Sequence, residues 1–146
     1  MKLKSKNPHF KEYVAQKLLA NKMVEYLHFN VREISDGYVV AELPFLPHME
    51  QQDGFLHGGV SSTLLDMAMG FASYSLVEEG QKVMTVQLSV SYFNRGDAPI
   101  VRCIGRVAKA GKRFHFCESE LMGVYPDGST VTIAKGTSTM GVIDVK

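Results

Sequence analysis

From Gly58 to Val77 every side chain is apolar, small or hydroxyl-bearing except one, Asp66. A run this long exceeds an ordinary strand, and its rows recur at helical spacing. Val60, Leu64, Met67 and Phe71 make one apolar face, and Leu65, Ala68, Ala72 and Leu76 make a second. Such a helix has to be wrapped by the rest of the chain. A third stripe, Gly59, Ser62, Asp66, Gly70 and Ser73, is made of small residues, which lets a ligand approach the backbone beside the carboxylate. A membrane span is the competing reading, but Asp66 and the Ser and Thr residues make insertion costly and no topology signal flanks the run. An unpartnered buried carboxylate costs several kcal/mol, so a function has to account for it.

The loop that leads in, Gln51-Gln52-Asp53-Gly54-Phe55-Leu56-His57-Gly58-Gly59, is polar and glycine-bearing. Upstream, Asn7-Pro8 reads as a cap with proline at the first helical position, and Phe10, Tyr13, Val14 and Leu18 give a short amphipathic helix to about Asn21. From Val24, apolar Leu27, Phe29 and Val31 alternate with polar neighbours and predict a strand, turned at Ser35-Asp36-Gly37 into a second strand over Tyr38 to Leu43. Downstream of the helix the period changes to two. Met84, Val86, Leu88, Val90 and Tyr92 are expected on one face, with Thr85, Gln87, Ser89 and Ser91 on the other. Asn94 to Pro99 breaks that strand. Further strands are predicted at Ile100 to Lys109, Arg113 to Tyr125 and Thr130 to Met140, with tight turns at Ala110-Gly111-Lys112 and Pro126-Asp127-Gly128. Consecutive hairpins cannot be parallel, so the predicted class is α+β: one curved antiparallel sheet wrapped around one long helix, with a short N-terminal helix.

Composition narrows the function. A chain of 146 residues, 45% hydrophobic, suits one domain over 1–146, a helical arm at 1–22 and a core at 23–141. Its net charge of +1 argues against a nucleic-acid partner. Cys103 and Cys117 lie in strand-like runs without metal-ligand spacing and are read as buried free thiols. No metal or cofactor motif and no secretion signal is found, and a cytoplasmic location is expected.

A strand pair, His57-Gly58-Gly59 opening a buried helix, Asp66 nine positions after His57, four antiparallel strands and the Tyr92 to Pro99 stretch together resemble the hotdog-fold acyl-CoA thioesterases, of the phenylacetate-degradation type. The resemblance covers roughly Val24 to Met140. It implies a homodimer with sheets joined edge to edge, often paired into a homotetramer, with active sites at the subunit interface and coenzyme A present as part of the acyl-CoA substrate. By the same resemblance Asp66 is the general base or nucleophile, Gln51 supplies an amide to the thioester or water, and Thr85 is the hydroxyl that orients the water. Gln51 and Thr85 stand where the family pattern has asparagine and serine, with the same functional groups.

Thioester hydrolysis needs a base or nucleophile, a donor for the developing oxyanion and a groove for the substrate arm. The start of the central helix offers free N–H groups and the positive end of a dipole, which makes the Gly58 N–H the candidate oxyanion donor. His57, Gly59, Asn94, Arg95, Lys112 and Arg113 are candidate contacts to substrate or to its phosphates. Each also has a plainer reading: His57 as a cap, the glycines as packing devices, the basic residues as solvated surface, and Asp66 as an acceptor for neighbouring hydroxyls. The alternatives to hydrolysis are a non-catalytic acyl-CoA-binding or sensor module, a hotdog dehydratase or hydratase, and an oligomeric scaffold.

Overall fold

The computed structural model describes residues 2–145. Three helices, α1 (Phe10–Ala20), α2 (Lys22–Leu27) and α3 (Gly58–Tyr74), accompany six strands: β1 (Asn30–Ser35), β2 (Tyr38–Pro44), β3 (Lys82–Tyr92), β4 (Ile100–Ala110), β5 (Phe114–Val124) and β6 (Thr130–Ile143). The strands form one antiparallel sheet in the order β1-β2-β4-β5-β6-β3, curled around α3. Leu64, Leu65, Ala68, Met69 and Ala72 of α3 are fully buried against it. Cys103 of β4 donates its thiol to the Leu64 carbonyl at 3.3 Å. At Gly105, two residues on, an added Cβ would lie 2.3 Å from the Ala68 carbonyl group, so only glycine lets the helix sit this close to β4. Both cysteines are free and buried, and burial pushes the Cys103 thiol far up and that of Cys117 to about 12.

The arm is anchored by the aromatic residues its sequence advertised. Tyr13 is buried edge-on to Tyr74 at 6.2 Å and donates its hydroxyl to the Gln81 carbonyl at 2.6 Å. Gly37, at φ 73°, makes the β1–β2 turn and donates its N–H to Ser75 Oγ just past the end of α3. Among the described residues no helix is long and apolar enough to cross a membrane.

Besides the start of α1, which lies at Phe10 with His9 rather than Asn7 as its N-cap, so that Pro8 precedes the helix, two expectations need correction. Val24 to Leu27 is helical and the first strand begins only at Asn30. The Asn21 side chain caps this extra turn by accepting the Met23 and Val24 N–H groups, and His28 ends it in the left-handed region at φ 55°. Four residues of alternation cannot separate the two periods, so the cap decides. The second correction is in β3. Thr85 faces Met140 and Gln87 faces Thr139, so Val86 is an extra, bulged residue. Leu88 and Val90 pack on the core as predicted, but upstream of the bulge Val83 packs on the core while Met84 and Val86 are exposed. The bulge thereby turns Thr85 towards the helix.

The sheet's two edges differ. β1 is six residues long, contains Arg32 and Glu33, and is bulged between Val31 and Glu33. β3 is eleven residues long, and from Val83 to Asn94 it carries no charge.

Candidate active site

The bulge of β3 meets the charged stripe of α3 at one point. Thr85 Oγ1 donates to Asp66 Oδ1 at 2.7 Å, and the same hydroxyl lies 3.4 Å from Met140 Sδ. Asp66 is half-buried rather than enclosed, with Thr85 exposed beside it, and Oδ2 has no partner among the described residues. The stripe is mixed: Gly59 is exposed, Ser62 and Gly70 are half-buried, and Ser73 is fully buried, 2.5 Å from His115 Nδ1. The carboxylate thus opens onto a shallow strip of α3 beside the β3 edge.

A second feature lies at the other end of the helix. His57 is the N-cap of α3, and its Nδ1 accepts the Gly59 N–H at 2.8 Å, which puts the ring proton on Nε2. With Gly59 occupied and the Ser61 N–H given to the His57 carbonyl, the Gly58 N–H has no acceptor among the described residues. Tyr92 lies against Gly58: its hydroxyl donates to the Gly58 carbonyl at 2.9 Å, and an added Cβ at Gly58 would touch its ring at 3.5 Å. A hollow of about 360 Å³ opens here, lined by Gln51, Phe55, Gly58, Tyr92, Phe93 and Arg95 among others. A larger one, about 470 Å³, between α2 and β2, is lined by none of the residues around Asp66 or Gly58.

The remaining predicted residues divide. Gln51 is at the mouth of the smaller hollow, but its Oε1 is held by the N–H groups of Asp53 and Phe55, which leaves only its amide NH₂ free to donate outward. Asn94 donates its amide to the Thr132 carbonyl, and Arg95 stacks over Phe55 at 4.8 Å with Asp97 3.7 Å away. Asp97 in turn accepts the Tyr125 hydroxyl, which raises that phenol above its ordinary value. Lys112 and Arg113 lie elsewhere. Phe114 is level with Gly141 and Met84, at the opposite end of β3 from Tyr92, so this hairpin and Arg95 are roughly 30 Å apart along the strand. Tyr92 was missed as a site residue, because nothing in the sequence places it beside Gly58, 34 positions earlier; Phe55 is a pocket-lining candidate of the sequence that does line the smaller hollow.

The chain is similar to known proteins in sequence and in fold. Residues 53–123, which span the loop, α3, β3, β4 and most of β5, match the family model of the thioesterase superfamily. A stretch of 72 residues is 32% identical to the proofreading thioesterase EntH of Klebsiella pneumoniae, covering 49% of this chain and 53% of that one. The 1,4-dihydroxy-2-naphthoyl-CoA hydrolase of Escherichia coli is 26% identical over 68% of this chain and 73% of its own. The chain spans about half the length of the first curated relatives it matches. Among solved structures, a thioesterase family protein from Silicibacter pomeroyi superposes with a TM-score of 0.90 at 27% identity, over 93% of this chain and 99% of that one. The chain is therefore a hotdog-fold protein that matches the thioesterase superfamily over residues 53–123.

Proposed function

We propose that the protein is an acyl-CoA thioester hydrolase of the phenylacetate-degradation type, active as a homodimer or a pair of homodimers. One observation carries the reading: a carboxylate on the central helix, fixed through one oxygen by the Thr85 hydroxyl and free at the other. A hydroxyl donor orients the Asp66 carboxylate, as a base or nucleophile requires. As base, it takes a proton from water while the water oxygen bonds to the thioester carbon. The carbon–sulfur bond then breaks and the proton passes to the leaving thiolate.

The oxyanion donor cannot come from the same chain. Gly58 and Asp66 are eight residues apart on one helix, about 12 Å along its axis, too far for both to serve one carbonyl carbon. A second copy that supplies its Gly58 N–H beside Asp66 removes the difficulty, which is the physical support for a composite site. The names of the relatives, thioesterase and CoA hydrolase, favour the same substrate class.

The test uses two variants. Asp66→Asn keeps volume and removes the base, and is expected to lower kcat while sparing KM. Gly58→Pro removes the N–H alone: proline is favoured at the first helical position, and His57, at ψ 134°, is already in the region that precedes proline. Loss of one oxyanion donor is expected to cost roughly 10²–10³ in kcat. Mixing equal amounts of the two inactive proteins under exchange should restore up to about a quarter of the activity, because half of the dimers are then mixed and each of those has one of its two sites intact. No rescue on mixing would place both groups in one chain, two fully active variants would remove Asp66 and Gly58 from the chemistry, and a wild-type protein that cleaves no thioester would leave a binding module.

A further inference from the structure

The central helix begins with two glycines, the weakest helix formers apart from proline, at the place where its one free N–H is needed. We infer that Tyr92 is a positioning residue for the oxyanion donor: its phenol grips the Gly58 carbonyl and so holds the free Gly58 N–H in place at the wall of the smaller hollow. That the hydroxyl clamps this turn does not depend on the hydrolase reading; that the clamp serves catalysis does.

Two peptide groups flank Gly58. In the one that follows it, His57 Nδ1 accepts the Gly59 N–H at 2.8 Å and the Gly58 carbonyl accepts the Tyr92 hydroxyl at 2.9 Å. In the one that precedes it, the His57 carbonyl accepts the Ser61 N–H at 3.0 Å, and the Gly58 N–H is left free. One carbonyl further on, Ser62 Oγ and Thr63 Oγ1 both donate to Gly59, at 3.0 and 2.8 Å. His57, Ser62 and Thr63 belong to the turn they hold and move with it. Among the described side chains bonded to this turn, only Tyr92 comes from the sheet, 34 positions along the chain. It is the contact that fixes the helix start relative to β3.

Tyr92 has a firm base from which to do this. It is paired with Ala134 of β6, and the next two residues, Phe93 and Asn94, give their N–H groups to the Ile133 carbonyl at 2.8 and 3.2 Å. The Asn94 side chain adds a bond to the Thr132 carbonyl at 2.8 Å, which makes it a brace for the strand end. Tyr92 is 55% exposed, so its hydroxyl contact orients it more than burial does.

A count of protons excludes a direct role for the phenol. A carbonyl only accepts, so the single Tyr92 proton is committed to Gly58 and none is left for a substrate oxyanion. Tyr92 therefore acts through the peptide. An oxyanion donor stabilises most when its direction is set before the charge develops, and a pair of glycines has the most freedom to lose. β3 thus reaches α3 with two hydroxyls, Thr85 at the carboxylate and Tyr92 at the peptide beside the free N–H.

Two independent readouts on the full-length protein test this. Tyr92→Phe keeps the ring and removes the hydroxyl. Turnover is measured on whichever of acetyl-CoA, hexanoyl-CoA and phenylacetyl-CoA the wild type cleaves fastest. The substitution is expected to lower kcat by about tenfold with KM little changed, a smaller loss than the roughly 10²–10³ for removing the donor itself. Added to Gly58→Pro, it should cost nothing further, because the N–H it positions is already gone. Hydrogen exchange followed by NMR needs no substrate. In Tyr92→Phe the Gly59 and Ser61 amides should exchange about 2–10-fold faster, while those of Leu65 and Ala68, fully buried further along α3, keep their rates. An equal loss of kcat in both backgrounds would show that Tyr92 acts somewhere other than Gly58 and overturns the assignment, as does a Tyr92→Phe protein with wild-type kcat. Unchanged exchange at Gly59 and Ser61 overturns the clamp. If the wild type cleaves none of the three thioesters while first-turn exchange quickens, the hydrolase reading fails and the clamp stands.

Discussion

The contact between Asp66 and Thr85 is one hydrogen bond between two side chains, 2.7 Å long, yet it separates two roles for the threonine. If the hydroxyl orients the carboxylate, Thr85→Ser keeps the rate and Thr85→Ala lowers kcat by about 10–100-fold with little change in melting temperature, since one exposed hydroxyl contributes only about 1 kcal/mol to stability. Parallel rate and melting measurements on both variants decide it. Gly59 offers a second test of positioning: an added Cβ would lie 3.0 Å from His57 Nδ1, so Gly59→Ala is expected to push the ring off its cap and cost roughly 0.5–2 kcal/mol in a denaturant melt. A third residue sets a pH limit. His115, buried against Ser73, has its pKa lowered to about 4, first by burial and then by the nearby Lys6 charge. The unfolded chain takes this proton near pH 6.5 while the fold refuses it until about 4, so the stability it contributes is complete above pH 6.5 and is lost as pH falls through that window. With solvent screening at the sheet's end, about 1–2 kcal/mol should be gone by pH 5, and His115→Asn should flatten that slope in melts from pH 7 to 4.5.

At the scale of elements, what was legible in the sequence is what local chemistry decides alone. The central helix announced itself by length and by two apolar rows, and the β4–β5 and β5–β6 turns by Gly111 and by Pro126-Asp127-Gly128; the structure has all three. Asp66 and Gly58 were legible as oddities against that background. The helical turn at Lys22–Leu27 was not, because six residues of mixed polarity fit either period until the Asn21 cap is seen to close on them. Nor was the β3 bulge, since an unbroken alternation from Met84 to Tyr92 gives no sign that Val86 drops out of register with β6. That slip decides whether Thr85 points to Asp66 or to solvent, so the least visible feature is the one the candidate site depends on. The approach of α3 to β4 has its own test. Gly105→Ala would drive a methyl to 2.3 Å from the Ala68 carbonyl, and with backbone on both sides the cost is expected to exceed about 3 kcal/mol, read as a large fall in denaturation midpoint or loss of soluble protein.

Two features belong to the whole molecule: the Asp66 carboxylate and the free Gly58 N–H are eight residues apart along α3, and both edges of the sheet, β1 and β3, are unpaired, with β3 the longer. If association and function are joined at β3, stability is joined to them as well, and the melting temperature should rise with protein concentration over a dilution series, whereas a self-sufficient protomer would melt at one temperature throughout. The open edge has a further consequence, for proteostasis. A folded chain that had not paired would display an edge strand that is uncharged from Val83 to Tyr92, which any extended polypeptide can extend. If two copies pair there, the lifetime of that state scales inversely with subunit concentration. A single lysine at Ser91, harmless to the buried face of β3, would convert the chain into a guarded monomer, soluble at any dilution and without a completed site.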